Sequence, residues 1–413
     1  MSPITPGRRL AGVTAATAVA LASALAAAPT STAAPAPEHA KDVTIRGAGS
    51  PTAIAGSYIV ILNDTAATST RSGVQATATS LATAYKATVK RTFATVRGFS
   101  ATMTAAKAQR LATDPRVAYV EQNQRFRITE DDATWGLDRT DQHDLPLDKK
   151  YNAPNDGSDV NVYVIDTGIY AEHGDFGGRA SVGTDTVGDG QDGKDCHGHG
   201  SHVAGTIAGE KWGLAKKATV FGVRVLDCQG SGSTESVVAG IDWVTQNAKK
   251  PAVANMSLGG GADDALDAAV RKSVAAGVTY AVAAGNENAD ACEGSPSREP
   301  VALTAGATDD TDTRAEFSNF GKCVDLFAPG VDITSVGISD PDATETMSGT
   351  SMASPHIAGA AALYLHEKPE ATPEEVATAL TTLATPDKVQ DPGTDSPNSL
   401  LYVGELNSPG AGG

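Results

Sequence analysis

The chain has 413 residues, of which 40% are hydrophobic, 20% are charged and 43 are glycine, a composition that excludes a disordered or fibrous protein and has room for more than one folding unit. The formal charge of −17 is divided unevenly: residues 1–130 hold 14 Lys and Arg against 6 Asp and Glu, a net of +8, and residues 131–413 hold 18 against 43, a net of −25. The acidic part speaks against nucleic-acid and anionic-membrane partners, and the opposite signs favour docking of one part on the other.

Residues 1–34 read as a secretory signal peptide, because Arg8 and Arg9 precede an apolar, alanine-rich run at 10–28 with small-residue cleavage sites after it. Thr14, Thr17 and Ser23 weaken that run as an anchor, and no other segment is apolar enough to span a membrane. Export makes Cys196, Cys228, Cys292 and Cys323 candidates for two disulfides, with three pairings open by arithmetic and no Cys-x-x-Cys spacing to suggest zinc. Residues 35–130 follow as a small α+β unit: a strand at 57–62, a helical region to about 90, a strand at 99–103, a helix at 105–112 and a strand at 117–121. The polar residues 122–132 read as an exposed linker.

From Trp135 the pattern becomes βα alternation. Apolar strands at 160–165, 218–226, 252–258 and 278–284, with shorter ones at 301–305 and 324–327, are separated by helices at 199–209, 234–248 and 264–276; helices from Ser351 and at 373–383 close the set. This predicts an α/β fold over 131–405, a mainly parallel central sheet with helices on both faces, and a short tail at 406–413. Sites in such sheets lie beyond the carboxyl ends of strands, where Asp166 and Asn286 fall.

Ser351 opens an apolar helix, so free backbone N–H groups and the positive end of the helix dipole point at its hydroxyl. Pro355, one turn on, lacks the N–H that would bond the Ser351 carbonyl. Alone, such a serine reads equally as a helix cap. Asp166 ends a buried strand and needs a partner there. His199, between two glycines, can take the proton of Ser351 on one ring nitrogen while Asp166 holds the other. The rival for His197, His199 and His202, a metal site, lacks the His-Glu-x-x-His spacing. Asn286, after Ala283-Ala284-Gly285, can aim its amide N–H at a developing oxyanion beside the backbone N–H of Ser351, although by itself it reads as a turn residue.

Asp166-Thr167-Gly168, His199-Gly200-Ser201-His202-Val203-Ala204-Gly205-Thr206, Ala284-Gly285-Asn286 and Gly349-Thr350-Ser351-Met352-Ala353 resemble the catalytic blocks of the subtilases, in that family's order Asp, His, Ser. The likeness is to the proteinase K and aqualysin branch. It runs from Trp135 to about Val403 and takes in Trp135-Gly136-Leu137-Asp138-Arg139 and Asn255-Met256-Ser257-Leu258-Gly259-Gly260-Gly261. The preceding unit, with Tyr58-Ile59-Val60 and Val120-Glu121, resembles the family's inhibitor-like propeptide.

The resemblance implies a secreted, monomeric serine endopeptidase made as a self-processing zymogen, with broad specificity for apolar or aromatic P1 residues. Asp166, His199 and Ser351 become the triad of an acyl-enzyme mechanism, with Asn286 as oxyanion donor. Gly230, Ser231 and Gly232, with Ser257, Leu258 and Gly259, would pair with an extended substrate, and Ala283, Ala284 and Gly285 would line the S1 pocket. It further implies disulfides Cys196–Cys228 and Cys292–Cys323. Structural calcium is the implied cofactor, held by the carbonyls of Pro300 and Ala302 and the carboxylate of Asp325. Asp138, Asp141, Gln142 and Asp148 resemble a second such site, where Lys150 stands in place of an oxygen ligand. Asp189, Asp192 and Asp195 read either as a third or as a solvated acidic loop. Ser201 stands where threonine is usual.

Two rival classes fit less well. A lipase or esterase would need Gly-x-Ser-x-Gly and another chain order, and a catalytically dead binding protein would need a vacant catalytic position.

Overall fold

The computed structural model describes residues 44–48, 53–94, 96–124, 128–131 and 133–406, which fall into two compact units divided between 125 and 126. The expected signal peptide at 1–34 and the tail beyond 406 lie outside the described residues.

The first unit comprises β1 (Ala53–Leu62), α1 (Arg71–Tyr85), β2 (Thr88–Phe93), β3 (Gly98–Thr102), α2 (Ala105–Ala112) and β4 (Val117–Gln124). Its strands form an antiparallel sheet of order β2-β3-β1-β4. Alternate residues Tyr58, Val60 and Leu62 of β1, with Phe99 and Ala101 of β3, pack with Val74 and Leu81 of α1 and Leu111 of α2. The helix expected to reach about 90 stops at Tyr85, because Lys86 turns left-handed (φ 52°) and caps the helix through its N–H. The β-branched Thr88 and Val89 then begin a strand.

In the second unit the stretch expected as a linker is in part β5 (Ile128–Asp131), paired antiparallel with β6 (Lys150–Ala153) across α3 (Trp135–Thr140). The chain continues through β7 (Asn161–Asp166), β8 (Ala180–Asp185), α4 (His199–Ala208), β9 (Thr219–Arg224), α5 (Thr234–Asn247), β10 (Ala252–Met256), β11 (Gly260–Gly261), α6 (Asp264–Ala275) and β12 (Thr279–Ala283). It ends with β13 (Gly294–Ser295), β14 (Leu303–Thr308), β15 (Leu326–Pro329), β16 (Ile333–Val336), β17 (Thr344–Met347), α7 (Thr350–Glu367), α8 (Pro373–Leu383), β18 (Thr385–Pro386) and β19 (Ser399–Leu400).

The central sheet has the order β18-β19-β15-β14-β12-β10-β7-β9-β8 and is parallel except where β18 meets β19. Val162 and Val164 of β7 face the core closed by α4 and α7, whereas Tyr163 and Ile165 face the core closed by α5 and α6. Burial on both faces is why residues 160–165 read as a nearly unbroken apolar run. Helix α7 is buried from Met352 to Leu365, as its apolar sequence on every side requires. β8 escapes a sequence reading because it is a half-exposed edge strand interrupted by Gly183. From β7 the sheet grows one way through β9 and the other through β10, so the crevice where this order divides lies at the ends of β7 and β10.

Candidate active site

Asp166, the last residue of β7, is fully buried and accepts hydrogen bonds on Oδ1 from the Thr167 backbone N–H (2.7 Å) and from His199 Nδ1 (2.7 Å). Among the described residues its Oδ2 has no hydrogen-bond partner, which concentrates the carboxylate on the imidazole. His199 reaches it because α4 starts against the turn after β7. A Cβ on Gly200 would stand 2.3 Å from the Gly168 carbonyl oxygen, so only glycine permits this approach. Burial works against a charged ring at His199, but the charge and hydrogen bond of Asp166, with the charge of Asp195, outweigh it and raise its pKa above the ordinary 6.5.

Ser351 is the second residue of α7. Because Pro355 supplies no N–H, the Ser351 carbonyl accepts instead from Ser257 Oγ at 2.7 Å. The Ser351 hydroxyl donates to the Ser257 carbonyl at 3.2 Å. This differs from the expected bond to His199, and none joins the two side chains here. The hydroxyl turns freely about one torsion, and hydrogen bonds of this kind commonly tighten only with substrate present.

Behind Ser257 lies a polar chain that the sequence reading missed as functional: Ser354 Oγ donates to Asn255 Oδ1 (2.7 Å), and Asn255 Nδ2 donates to Ser257 Oγ (3.0 Å). Asn255 and Ser354 are fully buried. The signal that could have found it was an asparagine inside an otherwise apolar strand, which must find partners.

Asn286 follows Gly285, where only glycine fits on two counts: φ is +104°, and a Cβ would stand 2.3 Å from Asn319 Nδ2. Asn286 Oδ1 accepts from the Thr350 backbone N–H (2.9 Å) and from Thr350 Oγ1 (3.0 Å), and Thr350 Oγ1 accepts in turn from the Gly285 N–H (3.1 Å). The amide oxygen is thus tied down, and the NH₂ side is left to donate.

Two cavities meet at this site. One of ≈ 390 Å³ is walled by Ala283, Ala284 and Gly285, with Asn286 and Ser351 also lining it. Glu287, Asp290 and Glu293 add three carboxylates to its lining. The other, of ≈ 720 Å³, runs past His199 between Gly230-Ser231-Gly232 and Ser257-Leu258-Gly259. The disulfide Cys196–Cys228 ties the segment ahead of His199 to the one ahead of Gly230, and Cys292–Cys323 closes the loop beyond Asn286. Each closes a loop of about thirty residues, worth about 3–4 kcal/mol in the chain-entropy account.

The acidic candidates separate into fitting and non-fitting sets. Burial pushes the Asp325 carboxyl up to about 6 against one N–H donor, Thr304, so a cation beside it would relieve a desolvated acid. Burial, and then the nearby Asp148 and Asp141 charges, push Asp138 up to about 6 despite two backbone donors. Gln142 Oε1 and Asp138 Oδ1 both face the Asp148 N–H, giving oxygen donors of the kind a hard cation takes. Among the described residues, however, no three His, Cys, Asp or Glu side chains converge as a metal-binding group. Two of the three acids read as either a third site or a solvated acidic loop, Asp189 and Asp195, are taken up by protein donors. Asp189 gives both oxygens to Arg224 (2.6 and 2.7 Å), and Asp195 accepts from Thr167 just past β7, from the backbone of its own loop and from Ser201 of α4.

A twice-covered parallel sheet, with an Asp–His pair at one strand end and a helix-opening serine in the adjoining cavity, is an arrangement that suits a serine hydrolase. The chain matches the subtilase family over residues 157–400 and the peptidase inhibitor I9 family over residues 57–129. It belongs to the subtilases, and it is a serine endopeptidase carrying an inhibitor-type propeptide domain. It is 49% identical over 381 residues to an extracellular serine proteinase of a Thermus species, a match covering 88% of this chain and 93% of that one. It is also 49% identical over 315 residues to alkaline serine exoprotease A of Vibrio alginolyticus, covering 74% of this chain and 58% of that protein. The crystal structure of a cold adapted subtilisin-like serine proteinase matches with a TM-score of 0.64 and 53% identity, over 66% of this chain and 98% of that one.

Proposed function

We propose that the protein is a secreted, self-processing zymogen whose mature part cleaves peptide bonds through Asp166, His199, Ser351 and Asn286. The observation that carries this reading is the 2.7 Å bond between His199 Nδ1 and Asp166 Oδ1, with His199 lining a cavity that shares Leu258, Gly259, Gly260 and Gly261 with the one Ser351 lines. The substrate lies extended between Gly230-Ser231-Gly232 and Ser257-Leu258-Gly259, pairing edge to edge. The Ser351 hydroxyl turns from the Ser257 carbonyl to His199 Nε2, loses its proton there and attacks the scissile carbonyl carbon. Asn286 Nδ2 and the Ser351 N–H hold the oxyanion. The imidazolium, stabilised by Asp166, gives its proton to the leaving amine, and a water activated by His199 then releases the acyl group.

The P1 side chain enters the cavity walled by Ala283, Ala284 and Gly285, whose alanine walls suit apolar and aromatic groups, whereas Glu287, Asp290 and Glu293 repel acidic ones. The first unit serves as folding template and inhibitor, and the junction between about 127 and 133 is cut by the finished protease. Its basic charge speeds docking on the acidic part, an attraction that weakens with salt. Among the described residues no helix is long and apolar enough to cross a membrane.

The pH profile tests the base. Only neutral His199 accepts the serine proton, so kcat/KM rises with pH, and its midpoint lies above 6.5 because the folded-state pKa is raised. The stability that the Asp166 pair contributes runs the other way. It is fully present below about 6.5 and is lost as pH climbs through the raised pKa. Acylation that stays flat from mildly acidic to neutral pH would assign the proton to another group.

Calcium is the structural cofactor of this reading, held by Asp325 with the Pro300 and Ala302 carbonyls and by the Asp138, Asp141, Gln142 and Asp148 oxygens. Its removal leaves the triad in place but loosens the loops. A ligand at a hundred times its Kd stabilises by about 2.7 kcal/mol, so chelator should lower the midpoint of thermal inactivation and hasten autolysis. Equal midpoints with and without chelator would remove calcium from the account.

A further inference from the structure

Asp195 stands four residues ahead of His199, and five donors converge on its carboxylate. Oδ1 accepts from Thr167 Oγ1 (2.9 Å), the His197 N–H (3.0 Å) and the Gly198 N–H (2.8 Å), while Oδ2 accepts from the Ser201 N–H (2.8 Å) and Ser201 Oγ (2.6 Å). Two of these donors are themselves acceptors. Thr167 Oγ1 takes the Gly200 N–H at 2.9 Å, and Ser201 Oγ takes the Tyr170 N–H at 2.9 Å. Thr167 adjoins Asp166, Gly198 precedes His199, and Gly200 and Ser201 follow it.

We propose that Asp195 is the positioning residue of the catalytic pair: it clamps the turn bearing Asp166 to the helix start bearing His199, and its charge acts with that of Asp166 on the imidazole. This rests on the triad assignment above. The bonds from Asp195 reach the chain on both sides of His199, so the ring can neither slide along α4 nor draw away from β7 without breaking several at once. Burial works against the charged carboxyl, yet these donors hold it below the ordinary carboxylate range, so Asp195 is ionised wherever the enzyme works. The other groups near His199 among the described residues are Asp166 from β7, the His197 ring with its centroid 6.2 Å away, His202 of α4, which burial lowers to about 4 and keeps neutral, and Glu345 of β17, whose carboxylate stands against Gly198. Among the described residues Asp166 and Asp195 are the carboxylates whose charges raise the imidazole's pKa. Ser201, placed where threonine is usual, keeps the hydroxyl that the clamp uses.

In Asp195→Asn an NH₂ replaces one oxygen and faces donors, so the clamp opens while the side-chain volume is kept. Measured per titrated active site, kcat should fall about tenfold to a hundredfold, the usual consequence of a misplaced catalytic group. KM should stay within about threefold, because the substrate strands are untouched. The acid limb of kcat/KM should move to lower pH, since a negative charge near the imidazole is gone; a role confined to stability would change the yield of enzyme but not this limb. An unmoved limb overturns the proposal. Should Asp195→Asn not mature, Thr167→Val decides. A roughly tenfold loss of kcat restored by Thr167→Ser supports the clamp, and wild-type kcat in Thr167→Val, or a loss that Thr167→Ser shares, overturns it. Ser351→Ala in the same assay separates the two claims, since residual full activity there would strike the triad itself.

Discussion

Ser351→Ala should lower turnover by about a million-fold, the magnitude that triad removal gives in subtilisin, a member of the same family. The loss is this large because the alanine keeps the fold and the oxyanion donors but removes the atom that forms the acyl bond. The Ser351 carbonyl still accepts from Ser257, and α7 remains buried, so the variant should be as stable as the parent. The same substitution should halt maturation. The wild type should yield a form starting near Asp131, and the variant should accumulate uncut, lacking only its signal peptide. The two are told apart by intact mass and N-terminal sequencing of the secreted chains. Cleavage of the variant at that same bond in a protease-free host would mean that Ser351 does not perform it.

Asn286→Ala should reduce kcat by about 10²–10³ and leave KM nearly unchanged, again the range seen when subtilisin loses its corresponding donor. The amide is pre-aimed: Thr350 holds its oxygen with two hydrogen bonds, and Gly285 holds the backbone in a conformation that other residues resist. A donor fixed before the reaction acts fully at the moment charge develops, which is why one hydrogen bond weighs so much. A kcat within about threefold of wild type would take the oxyanion role away from Asn286.

The sheet was legible because its strands are buried on both faces, so that residues 160–165, 252–256 and 279–283 stand out as apolar runs between helical periods. The half-exposed edge strand β8 and the glycine pair of β11 carry no such pattern. In the first unit the boundary at Lys86 rests on one residue's left-handed turn, which composition does not announce. In the site, Asp166, His199, Ser351 and Asn286 each stand in a glycine-rich setting that marks a close approach. The release of the Ser351 carbonyl by Pro355 could also be read ahead, although its partner Ser257 could not. Hydroxyl directions are set by tertiary neighbours, so the turn of Ser351 toward Ser257 was beyond reach. The same holds for Asp195, whose five donors lie close in sequence or just past β7 but gather only when α4 docks.

The most direct test of the central claim is labelling of the mature enzyme with an organofluorophosphonate, followed by peptide mapping. The account predicts one phosphonyl group per molecule on Ser351, formed faster as pH rises past the raised His199 pKa and abolished by prior denaturation. A label found on any other residue, or active enzyme that takes up none, would contradict it.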